Sequence, residues 1–110
     1  MIKDIPVPNS LAAGTVTSSA KTLAEVIDPA QIPDDFTHAD LWVKSESVLV
    51  AIDGSTPAAS PEFGIGPFSA SSQPSRYSTD EIKAMKLLRT GSADAEILVQ
   101  FYQSNPTFSS

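Results

Sequence analysis

MKLLRTGSADAEILVQFY, from Met85 to Tyr102, reads as two short strands joined by a polar turn that contains Gly91. On the second strand Ile97, Val99 and Phe101 fall on one face, and Glu96, Leu98, Gln100 and Tyr102 on the other. A strand turns successive side chains to opposite sides, so this period of two predicts a sheet packed on at least one face. The class that follows is all-β.

Earlier segments agree. Ala39, Leu41 and Val43 alternate with Asp40, Trp42 and Lys44. Val48 to Ile52 is continuously apolar, which predicts a central strand buried on both faces. Ser45-Glu46 between these runs predicts a tight turn, and hence a hairpin. Thr15, Val16 and Thr17 favour a strand as well. From Ser19 to Ile27 helical spacing at Leu23, Val26 and Ile27 competes with Pro29 close behind, and strand or irregular structure is expected. Pro33 to His38 reads as a polar turn.

Ser78 to Arg89 holds a local conflict. Ser78-Thr79-Asp80-Glu81 has the form of a capping box, and Ile82, Met85 and Leu88 are spaced as on a helix. The competing reading is a brief turn at Thr79 to Ile82, then a strand through Leu87 and Leu88. The second is expected, on the resemblance described below.

Gly54 to Arg76 carries Pro57, Pro61, Pro67, Pro74, Gly64, Gly66 and many serines. Prolines at that density exclude an interior strand, so a long Pro/Ser-rich loop is expected, pinned in part by Phe63, Ile65 and Phe68 to the core or to a neighbour. Residues 1–14, with Pro6 and Pro8, read as an extended N-terminal arm. Residues 15–103 then form the domain, a small antiparallel β-sandwich or jelly roll, and 104–110 a tail.

A chain of 110 residues makes one domain, burying about two thirds of the surface that its unfolded form exposes. That allows a modest core but not a deep catalytic cavity beside it. With no cysteine, disulfides and thiolate metal sites are excluded. The opening residues lack the apolar run of a secretory signal, and no segment has the length of a membrane-spanning helix, so no membrane association is expected. The net charge of −6 is uneven: Thr22 to Glu62 holds eight acids against Lys44, whereas Arg76, Lys83, Lys86 and Arg89 outnumber Asp80 and Glu81. Nucleic acid is a poor partner for so acidic a chain, because phosphate binding needs dense Lys and Arg. A basic strip beside an acidic field can instead orient the protein on another protein.

No residue set points to catalysis. His38 is the sole histidine; with Asp34, Asp35 and Asp40 it suggests a hard-cation site, but the glycine and closing glutamate of a calcium loop are missing. Gly64-Ile65-Gly66 lacks the third glycine of a dinucleotide fingerprint. No nucleophile–base pair is spelled out, so no catalytic, cofactor or metal residue is expected. Trp42 with Tyr77 or Tyr102 offers an alternative, a platform for stacking sugars. What remains is a binding part whose arms order on contact.

Three stretches resemble a group of small phage structural proteins. Val48-Leu49-Val50-Ala51-Ile52-Asp53-Gly54-Ser55-Thr56-Pro57 is similar to the group's strand followed by Asp-Gly-Thr and a proline. Tyr77 to Arg89 resembles its aromatic, short turn and basic-flanked strand, here Met85-Lys86-Leu87-Leu88-Arg89. Thr90 to Tyr102 is similar to its Gly-Ser-Ala turn and last strand ending in paired aromatics. Ala58 to Ser75 and the first 14 residues depart from the pattern. The resemblance implies a β-sandwich virion protein of the capsid decoration (cement) type, assembled in the host cytoplasm and bound to the capsid surface. Its partners would be the major capsid protein and further copies of itself, as a dimer or trimer. A neck, tail or fibre-attachment component is the alternative within the virion. Pro6, Pro8, Trp42, Phe63, Phe68 and Arg76 are the expected partner contacts, and deleting 1–14 is expected to leave the domain folded.

Overall fold

The computed structural model describes residues 2–59 and 61–106. The expected arm and tail therefore lie outside the described residues at Met1 and over 107–110. The described chain is mostly β, built from antiparallel sheets. In chain order it runs β1 (Ile2–Pro6), β2 (Ala12–Val16), β3 (Lys21–Thr22), α1 (Leu23–Val26), a 3-10 turn (Pro29–Gln31), β4 (His38–Ser45) and β5 (Ser47–Ala51). It continues through β6 (Ala58–Ala59), β7 (Glu62–Phe63), β8 (Ile65–Ser69), β9 (Ser75–Ser78), α2 (Thr79–Ala84), β10 (Lys86–Arg89) and β11 (Ala95–Pro106).

The first sheet has the order β1-β11-β4-β9, with β2 also on β11; the second has β3-β10-β5-β8, and β6 and β7 form a small pair. One face of each sheet contributes to a single apolar core. Ala39, Leu41 and Val43 of β4 and Ile97, Val99 and Phe101 of β11 meet Val48 and Val50 of β5 and Leu87 of β10 there. The period of two in β11 is thus realised: Ile97, Val99 and Phe101 are buried, and their alternates are not. Each such side chain contributes about 1.5–3 kcal/mol on leaving water. Phe36 closes the core with its ring edge-on to Phe101, centroids 4.8 Å apart.

The pairing differs from the local reading. β4 and β5 do not form a hairpin; β4 pairs with β11 and β9, and β5 with β10 and β8. Glu46, at φ 60, turns the chain from one sheet into the other. The same crossing separates β10 from β11. β5 is nonetheless a central strand: Val48, Leu49, Val50 and Ala51 are all buried.

About half of the described residues of segment 54–76 lie in short strands where a loop was expected. Its prolines still act as physical chemistry requires, since β8, which contains Pro67, is the last strand in its sheet, where a missing N–H is tolerated. Residues 2–6, expected as an arm, pair with 102–106 of β11, and β2 pairs with 95–99 on the same edge. Ser10 lies between them, buried, donating from Oγ to the Val7 carbonyl at 2.7 Å. Ala12 is in the core at 4% exposure, so part of the segment expected as an arm belongs to the packed body.

Both helical signals are real but short. Ser78 caps α2 in a capping box, its N–H bonded to Glu81 Oε1 at 2.8 Å, and the helix ends before the strand expected through Leu87 and Leu88. Thr22 and Glu25 do the same for the single turn of α1. No helix among the described residues is long and apolar enough to cross a membrane.

Candidate functional site

Two surfaces carry chemistry that the core does not use. The first is the outer face of the first sheet. Cross-strand pairing sets Trp42 beside Leu98, Asp40 beside Gln100 and Arg76, and His38 beside Tyr102. The Arg76 guanidinium bonds the nearly buried Asp40 carboxylate, with Nε to Oδ1 at 2.8 Å and Nη2 to Oδ2 at 3.2 Å. Its carbon centre also lies 5.4 Å from the centroid of the Tyr102 ring, on which His38 stacks at 5.3 Å.

The alternative of a sugar platform needs Trp42 side by side with Tyr77 or Tyr102, and this face does not bring them together. Tyr77 is buried in the core, on the other side of the sheet from Trp42. Tyr102 shares the face of Trp42 but lies four residues further along β11 than its partner Leu98, about 13 Å away. The Asp40–Arg76 pair stands between them.

The second surface is the groove where β5 runs out past the β7–β8 corner. Ile52, Phe63 and Ile65 line it together with Asp53 and Glu62, and its volume is about 430 Å3. Phe63 and Ile65 are 55% and 46% exposed. Asp53 accepts from the Ser55 N–H at 3.0 Å, and the hydrogen bonds from Ser55 hold its carboxyl below the ordinary carboxylate range. It stays charged at neutral pH.

The expected contact residues are not gathered in one place. Pro6 ends β1 opposite Tyr102, and Pro8 is exposed in the turn before β2. Trp42 and Arg76 lie on the first sheet, Phe63 at the groove, and Phe68 packs half-buried against the core. The basic strip of 76–89 is divided, Arg76 on the first sheet and Lys86 and Arg89 on the second. Arg89 is spent on Asp94 at 2.7 Å, and Lys86 donates to Thr56 Oγ1. His38, Asp34, Asp35 and Asp40 do not form a cation site: Asp40 is held by Arg76, Asp35 accepts from Gln103, and no metal-holding group of three appears among the described residues. Sequence reasoning missed the groove; its signal was the pair of glycines that flank Ile65.

Compared with known proteins, the chain matches no family model, no curated protein and no solved structure.

Proposed function

We propose that this chain is a phage capsid decoration (cement) protein: a small β-sandwich of jelly-roll type that binds the outer surface of the assembled capsid shell and reinforces contacts between capsomers. The observation that carries the reading is the distribution of exposed apolar side chains. Among the described residues Ile5 and Leu11 are exposed beside β11 of one sheet, and Phe63 and Ile65 at the corner of the other. Separate adhesive points on an elongated body, 52 by 24 by 23 Å, suit a part that bridges two neighbours. On the outer face Arg76 is bonded to Asp40 and lies over Tyr102, on which His38 stacks, an arrangement that suits a scaffold. Many copies on a symmetric shell bind through multivalency even where each contact is small, and self-association as a dimer or trimer matches local capsid axes.

The resemblance of Val48 to Pro57 and of Tyr77 to Tyr102 to phage structural proteins supports the same reading. The test is stoichiometry and rebinding. Purified virions should carry the chain in copy numbers commensurate with capsomers, and the purified protein should re-occupy stripped shells. A few copies per particle would assign the fold to a neck or tail position instead.

A further inference from the structure

The β7–β8 corner is shaped to present apolar side chains to solvent. Gly64 (φ 138) and Gly66 (φ 114) flank Ile65 in backbone conformations that side-chain-bearing residues rarely adopt. Across the ladder, β5 advances two residues, Val48 to Val50, while β8 spans three, Phe68 to Ile65. The extra residue makes a bulge, and bulges re-aim side chains. Gly64 also sits close against the second sheet: a Cβ there would lie 3.3 Å from Pro57 Cβ and 3.4 Å from Leu49 Cβ. The corner is therefore anchored beneath while Phe63 and Ile65 stay exposed.

We infer that this groove docks an extended segment of a partner protein in which an apolar side chain is flanked by lysine or arginine. The apolar part fits the space between Ile52, Phe63 and Ile65. The flanking cations fit Asp53 and Glu62, and no Lys, Arg or His lines the groove to oppose them. A second copy presenting this same corner is the poorer occupant, because Asp53 and Glu62 would then face their own counterparts. The inference rests on the reading above only in taking the partner to be a protein.

The full chain, isotope-labelled, is titrated with acetylated and amidated pentapeptides: Lys-Thr-X-Thr-Lys with X as Leu, Ile or Phe, and their Glu-flanked counterparts. At least one Lys-flanked peptide is expected to shift the amides of Ile52, Phe63 and Ile65, and to bind about threefold or more tighter than its Glu-flanked twin. Phe63→Ser, a change at an exposed position that should leave the unfolding midpoint in place, is expected to weaken that binding about tenfold. Asp53→Asn with Glu62→Gln should abolish the preference for lysine while leaving weak apolar binding. The inference is overturned if no peptide perturbs the groove, if Glu-flanked peptides bind as well, or if light scattering shows a dimer that Phe63→Ser disperses. No virion enters the experiment, so its outcome judges the groove apart from the decoration reading.

Discussion

Arg76 on β9 and Asp40 on β4 are direct cross-strand partners, and their side chains join at two points on the outer face of the first sheet. The two ends differ in environment, since the Asp40 side chain is 10% exposed and that of Arg76 50%. Arg76→Met deprives a nearly buried carboxylate of its charged donor and is expected to lower stability by about 1–3 kcal/mol, read as a fall in the urea midpoint. Adding Asp40→Leu should recover most of the loss, because an apolar pair needs no charged partner. Equal destabilisation in the single and double variants would show that the pair is not the cause.

Gly14 is enclosed by α1 and the residue after it. A Cβ there would meet the Val26 carbonyl oxygen at 2.6 Å, Val26 Cγ1 at 2.7 Å and Ile27 Cγ2 at 2.8 Å. Backbone on one side and core on the other leave little room to yield. Gly14→Ala is expected to cost about 1–3 kcal/mol by overpacking, and Gly54→Ala, with open space around its Cβ, to be limited by its backbone conformation alone. Thermal unfolding of the two variants compares these causes directly.

Truncation separates the ribbon from the body. Removing residues 1–4 takes away strand that pairs only with the last residues of β11, and the melting temperature should fall by a few degrees at most. Removing 1–14 takes Ser10 and three of the five residues of β2, Ala12 among them, and cooperative unfolding should be lost. A sharp, unchanged transition in the longer deletion would contradict the packing described.

Tyr77 sets an alkaline limit. Burial raises its phenol above the ordinary tyrosine value, the Ser75 hydrogen bond opposes that, and the Glu81 charge adds to it. The folded state then keeps a proton that the unfolded chain has released, so stability falls as pH rises. The contribution is whole below the unfolded value near 10 and is lost as pH climbs through the folded value. Tyr77→Phe should show a shallower alkaline decline than the natural chain, measured as urea midpoint against pH. Parallel curves would remove Tyr77 from the account.

The candidate groove was legible only in pieces. Phe63, Ile65, Gly64 and Gly66 stand together in the sequence, and the glycines mark backbone that leaves the ordinary strand conformation. Nothing local joins them to Ile52, Asp53 and Glu62, because that meeting requires β8 to lie beside β5 with a bulge between them. Trp42 and Arg76 were visible as unusual residues on strands, but the ring spacing and the ion pair depend on a register with β11 and β9 that no short motif contains.

By itself the sequence determined the strands whose apolar and polar groups alternate, β4 and β11 above all, and which side of each turns inward, since alternation is a property of neighbours along the chain. β1 and β6 to β8 carry no such pattern and were not legible as strands. Ile97, Val99 and Phe101 had to be buried together wherever β11 went. Only the tertiary structure decided which strands lie side by side. Ser45-Glu46-Ser47 looks like a hairpin turn, yet it carries the chain across the core from one sheet to the other. Backbone N–H and C=O groups are alike in every strand, so partner choice falls to long-range packing of the two inner faces.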